Sequence, residues 1–155
     1  MTAEDPPEDL QSLPVAEFAF PGPLRDKLVA AVLDGSKTST TGLVADYEAC
    51  GDPIPRVGDR SVVIDSEGRN VAILEVTGIV ICPLDQVDLQ HALDEGEGHA
   101  SVLDWRKDHE EYWHSPAMRE ALKDPGFTVN EETLVVLERF RVVSVLKAGR
   151  GKMDG

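Results

Sequence analysis

Apolar residues Leu24, Leu28, Ala31 and Val32 recur at three-to-four spacing behind Pro23, and Gly35 ends the run. That pattern predicts a helix with one buried face, opened by proline at its first turn and closed by glycine. Residues 38–44 then read as a strand by their β-branched content, and 47–60, with Gly51, Pro53, Pro55 and Gly58, as an irregular loop walling a pocket. Residues 61–64 and 71–81 flank the turn Ser66-Glu67-Gly68-Arg69-Asn70 and predict a hairpin, with Gly78 marking a bulge in its second arm. Helices are expected over 85–93 and 101–113, with Asp85 and Ser101 as N-caps, and a shorter one over 116–123. The β-rich run 133–146 is a final strand or a bent pair. Together these elements predict an α+β fold, a small and mostly antiparallel sheet or open barrel with flanking helices.

A chain of 155 residues with 41% hydrophobic content supports one domain around one core. Residues 1–15 are acidic and carry Pro6, Pro7 and Pro14, so they are expected to be a flexible lead-in. Residues 16–147 form the domain, and 148–155 a flexible, polar and glycine-rich tail. Cys50 and Cys82 are too few for a disulfide framework or a cysteine zinc site. No signal-like or membrane-spanning run occurs, which sets the expectation of a cytoplasmic protein with no membrane partner. With 29 acidic against 15 basic residues the formal charge is −14, which opposes non-specific nucleic-acid binding. A small substrate fits better, although Arg25, Lys27, Lys37, Arg56 and Arg60 could still hold a phosphate locally.

Candidate chemistry concentrates at Gly35-Ser36-Lys37-Thr38-Ser39-Thr40-Thr41, where a lysine and a run of hydroxyls stand between helix and strand. Lys37 has two readings there. It caps the helix carbonyls, or, if desolvated, it binds an anion, orients a carbonyl or serves as a base for a threonine or a water. On a regular strand Lys37 and Thr40 would point to opposite faces, so they cooperate only across a bent junction. Thr38 to Thr41 also read simply as strand residues. Glu95 and Glu97, set between glycines, offer a carboxylate at a site of close backbone approach or belong to a solvated turn. His109 and His114 diverge by about 140° on a helix, which rejects a zinc-protease pair. Trp105, His109 and Tyr112 share a helical face, first as packing residues and second as a pocket wall. No phosphate-binding glycine loop, serine-triad elbow or cysteine metal pattern is present, and no metal ligand is assigned.

The spacing of Gly35, Lys37 and Thr40 resembles the G-x-K-x-x-[ST] signature of the ASCH family, relatives of the PUA RNA-binding domain. The resemblance extends through Tyr47, the segment Gly51-Asp52-Pro53-Ile54-Pro55-Arg56-Val57-Gly58-Asp59, and Glu95-Gly96-Glu97-Gly98 followed by Ser101, Trp105, Arg106, His109 and Tyr112, as in the longer bacterial branch. It covers roughly residues 18–146. It implies a PUA-like small mixed or antiparallel β-barrel with flanking helices. Short members are amidohydrolases that deacetylate N4-acetylcytidine with a lysine, a threonine and a glutamate. By that resemblance Lys37, Thr40 and Glu97 are the expected catalytic residues, with Glu95 in reserve. Tyr47, Arg56, Glu95, Ser101 and Trp105 are the expected substrate contacts. The resemblance implies a nucleoside or RNA as partner and no cofactor for the amidohydrolase. Its two other readings are an RNA or nucleotide binding module and a ribonuclease using a divalent metal. The larger 47–60 loop and the inserted 101–113 helix set this chain apart from the short amidohydrolases.

Overall fold

Proline at the first turn and glycine past the last make α1 (Pro23–Asp34) what the pattern predicts: in the computed structural model, which describes residues 10–146, Gly35 takes φ +88° and its N–H donates to the Val32 carbonyl. The buried face of α1 carries Leu28, Val29 and Val32. They pack with Phe18, Val63, Ala72, Leu74 and Phe140 to make one half of the core.

The strands are β1 (Val15–Ala16), β2 (Ser39–Leu43), β3 (Arg60–Ile64), β4 (Asn70–Pro83) and β5 (Leu134–Val145), and they form one sheet in the order β1-β3-β4-β5-β2. The β3–β4, β4–β5 and β5–β2 pairs are antiparallel, and the short β1 runs parallel to β3. The register shifts between Val76 and Gly78, where the bulge was expected. Among the described residues β1 and β2 are the edges of the sheet, which is open rather than closed into a barrel; the α+β class with flanking helices holds. β5 is a single strand whose successive residues serve two sides. Val135 and Leu137 face the second half of the core, with Leu43, Leu84, Ala92, Trp105 and Trp113, while Phe140 and Val142 face α1.

Two predicted elements differ from the structure. The segment beginning at Tyr47 is not irregular throughout, because α2 (Val44–Cys50) continues directly from β2 and ends at Gly51. Ala45, Glu48 and Ala49 are helix formers, and the glycine-proline breaks start only after them. Asp85 does not cap a helix: Leu84–Gln86 is a single 3-10 turn, and α3 (Leu89–Asp94) starts where Asp88 accepts the His91 N–H. Burial of Leu84 and Val87, on either side of Asp85 and Gln86, turns the chain inward before Asp88. Ser101 caps α4 (Val102–Trp113) as expected, and Ser115 caps α5 (Pro116–Leu122). Of the expected lead-in and tail, residues 1–9 and 147–155 lie outside the described residues. Leu10–Ser12 forms a 3-10 turn, and β1 lies beside Val62 and Val63.

The segment after α3 crosses to the start of β2, and Thr38 N–H donates to the Asp94 carbonyl at 2.8 Å. Gly96 takes φ +71°, and a Cβ on it would stand 2.4 Å from the Ser36 carbonyl oxygen and 2.8 Å from Lys37 Cα. Only glycine permits that approach.

Gly96→Ala is therefore expected to cost at least ~3 kcal/mol, because left-handed strain adds to a backbone clash. Gly35→Ala, where the added Cβ meets open space, is expected to cost only about 1–2 kcal/mol. Urea unfolding of both variants measures the difference; equal losses would contradict the close packing of the two segments.

Candidate functional site

Lys37 follows the α1 terminus, where its N–H still donates to the Ala31 carbonyl, and it precedes β2 by two residues. It is therefore not on the strand, and the alternation that separates strand residues three apart does not govern it. Its side chain is 1% exposed. Nζ donates to the Ser39 carbonyl at 2.9 Å, the Glu95 carbonyl at 3.3 Å and Glu97 Oε2 at 3.4 Å, and lies 5.7 Å from the Phe18 ring centre. Three acceptors match the three donors of an ammonium, and the ring face adds a further favourable contact. The helix-capping reading of this side chain does not hold, since none of its acceptors belongs to α1.

Glu95 is fully buried. Oε2 accepts a hydrogen bond from the Thr41 hydroxyl and lies 3.1 Å from His91 Nε2. Oε1 stands 3.1 Å from His109 Nε2 and 3.9 Å from Lys37 Nζ. The His109 contact is misaligned for a hydrogen bond, so charge attraction carries it. His109 Nδ1 lies 2.9 Å from the Trp105 carbonyl, and the imidazole stacks on the Trp105 ring at 4.2 Å. Both ring nitrogens thus face acceptors, which calls for an imidazolium.

The titration directions agree with this geometry. Burial alone would raise the Glu95 carboxyl, but contacts from His109 and His91 and the charges of His109 and Lys37 hold it well below the usual carboxylate range. Burial would lower His109, and Glu95 together with the Trp105 carbonyl raises it instead. Glu97 moves the other way: burial raises it, with the Glu95 charge adding, and Lys37 and His109 only partly compensate. Two carboxyls two residues apart are therefore driven in opposite directions, Glu95 well below and Glu97 above the usual carboxylate range.

Of the expected set of Lys37, Thr40 and one of the two loop glutamates, the structure brings Lys37 together with both Glu95 and Glu97. Thr40 is half-buried and lies on the face of β2 opposite Thr41; its hydroxyl makes no hydrogen bond to a side chain among the described residues. Tyr47 lies on that same face, its Cε2 3.2 Å from where a Cβ on Gly42 would stand. Arg56 is exposed, with its N–H on Asp59 Oδ2. Ser101 is committed to capping α4, and Trp105 is 0% exposed, so in this structure its ring packs and offers a ligand no surface. Sequence reasoning missed Thr41, His91, His109 as a polar partner, and Glu138. The i,i+4 spacing of His91 and Glu95 was a usable signal, as was a lone acid in the apolar run of β5. Burial pushes the Glu138 carboxyl up to about 7, with Asp59 adding and Lys37 opposing.

Glu95, Glu97 and His109 each bring one potential metal-ligand atom within 4.8 Å of the others. The donor set fits a divalent ion poorly. The Lys37 ammonium already lies 3.4 and 3.9 Å from the two carboxylates, and His109 uses its Nε2 proton toward Glu95.

The family model described as ASCH domain matches residues 17–144. The crystal structure of an ASCH domain from Lactobacillus crispatus JV V101 is similar at 29% identity with a TM-score of 0.73, over 86% of this chain and 80% of that one. A protein from Enterococcus faecalis V583, described under the family name DUF984, shares the fold with a TM-score of 0.76 at 22% identity, over 92% of this chain and 81% of that one. No curated protein matches the sequence.

The Glu95–His109 pair sets a pH signature. A raised His109 contributes stability fully below its unfolded value of about 6.5 and loses it as pH rises through the folded value. The lowered Glu95 contributes above its unfolded value of about 4.3 and loses it as pH falls through the folded one. Urea midpoints of wild type and His109→Gln are therefore expected to differ most between these limits and to converge at alkaline pH. Glu95→Ala, which strands the buried cations, is expected to cost about 3–5 kcal/mol near pH 7. A loss below ~1 kcal/mol would contradict the role of Glu95 as their counter-ion.

Proposed function

The chain belongs to the ASCH domain family, and on that premise we propose that it is a hydrolase cleaving the exocyclic amide of an acylated nucleoside such as N4-acetylcytidine. One observation carries the reading: a carboxyl driven toward protonation, Glu97, lies 3.4 Å from a buried, fully coordinated ammonium, Lys37. Amide cleavage needs both, a fixed positive charge for the developing oxyanion and an acid for the departing amine.

Each residue takes a role its surroundings support. Thr40 presents a hydroxyl that no side chain among the described residues occupies, and it attacks the acyl carbon. Lys37 donates to three acceptors, which leaves no lone pair for the base role expected from sequence. Its charge instead stabilises the tetrahedral oxyanion in a site screened from water. Glu97, partly open to solvent at 19% side-chain exposure, protonates the leaving nitrogen. Glu95 stays ionised and, with His91, His109 and Thr41, holds Lys37 from behind. Tyr47, on the Thr40 face, is positioned to meet the base.

A phosphate-holding nucleic-acid module finds less support. Arg25 pairs with Glu17, Arg106 with Glu110 and Arg139 with Asp94, so these cations are engaged within the fold. The metal-dependent ribonuclease meets the poor donor fit around Lys37. No helix among the described residues is long and apolar enough to cross a membrane.

Release of cytidine from N4-acetylcytidine is the test. Wild type is expected to turn it over with or without a chelator, and Lys37→Met and Thr40→Val to lose at least about 100-fold in kcat. Absence of turnover by wild type, or abolition by the chelator, would overturn the proposal.

A further inference from the structure

We propose that Glu138 is the base that removes the Thr40 hydroxyl proton, an assignment resting on the hydrolase reading above. Thr40 and Glu138 are direct partners in the β2–β5 ladder. Side chains of such a pair rise from the same face of the sheet with Cβ atoms about 5 Å apart, within reach of a glutamate carboxylate. Glu138 stands in β5 between Val136 and Phe140, both buried. Among the described residues its side chain forms no hydrogen bond or ion pair, so its carboxylate gains nothing for the fold that an apolar side chain would not.

The other candidates are engaged. Lys37 donates all three protons, and His109 has an acceptor at each ring nitrogen. Glu95 Oε2 is hydrogen-bonded to Thr41 and His91, and Oε1 faces the charges of His109 and Lys37. Glu97 is the acid for the leaving group and cannot begin the cycle as the base. The charged and titratable groups acting on Glu138 are Lys37 and Asp59, and Tyr47 feels its charge in turn. Burial with the Asp59 charge outweighs Lys37 and places the carboxyl near neutrality, where a base works with least penalty.

The cycle balances without a metal or a second reagent. Glu138 carboxylate takes the hydroxyl proton as Thr40 Oγ bonds to the acyl carbon. The C–N bond then breaks as Glu97 delivers its proton to the amine, leaving an acyl ester on Thr40. Glu97, now a carboxylate, takes a proton from a water that attacks the ester. Protonated Glu138 returns its proton to Thr40 Oγ as the carboxylic acid departs, which restores both carboxyls.

The experiment is the pH dependence of N4-acetylcytidine hydrolysis by the full chain for wild type, Glu138→Gln and Glu138→Asp, with folding checked by circular dichroism. Because Glu138 must be ionised and Glu97 must carry its proton, the wild-type rate is expected to rise with pH along a limb through about 7 and to fall again at higher pH as Glu97 loses its proton. Glu138→Gln, an uncharged isostere, is expected to lose at least about 100-fold in kcat with KM little changed, together with that limb. Glu138→Asp is expected to keep the limb at a reduced rate. Glu138→Gln activity within about threefold of wild type, or a reduced rate that keeps the limb, would overturn the base assignment and leave the hydrolase reading standing. A wild type that releases no cytidine would overturn both.

Discussion

Burying one lysine ammonium is the constraint on which the site depends. Removing that charge from water costs several kcal/mol unless acceptors replace the lost solvent. Here they come from two directions: the strand backbone at Ser39, and a segment some sixty residues away carrying the Glu95 carbonyl and the Glu97 carboxylate. To deliver them the chain after α3 must lie against Ser36 and Lys37, and the missing side chain of Gly96 allows it. The Lys37 demand therefore reaches outward into the placement of α3, of the following loop and, through His109, of α4.

The same burial sorts the carboxyls. Glu95 is wholly enclosed but surrounded by His91, His109, Thr41 and Lys37, so attraction overcomes desolvation. Glu97 and Glu138 share the Lys37 field with fewer partners, and desolvation prevails. Three acids around one cation thus acquire different protonation tendencies from the number of donors each one meets. That separation is what acid and base chemistry at neutral pH requires.

Much of this was legible where the signal is local. Pro23 and Gly35 bracket α1, Ser101 caps α4, and Gly78 marks the break in the β4 register, each through the conformation of one residue. The start of α3 was misplaced because Asp85 and Asp88 are equally good caps, and only burial of Leu84 and Val87 decides between them. In the site, Lys37, Glu95 and Glu97 could be grouped from the ordered motif. The partnership of His109 with Glu95, and the placement of Glu138 opposite Thr40, come from packing and register across the sheet, which no spacing in the chain encodes.

In the proposed hydrolase Lys37 is a fixed charge and Thr40 the nucleophile, and these roles leave different chemical traces. The direct measurement is peptide mass spectrometry of protein acid-quenched during turnover of N4-acetylcytidine. An acetyl ester on Thr40 and no acetyl group on Lys37 are expected. A stable acetyl amide on Lys37 would show the lysine attacking as a neutral amine and would contradict these roles.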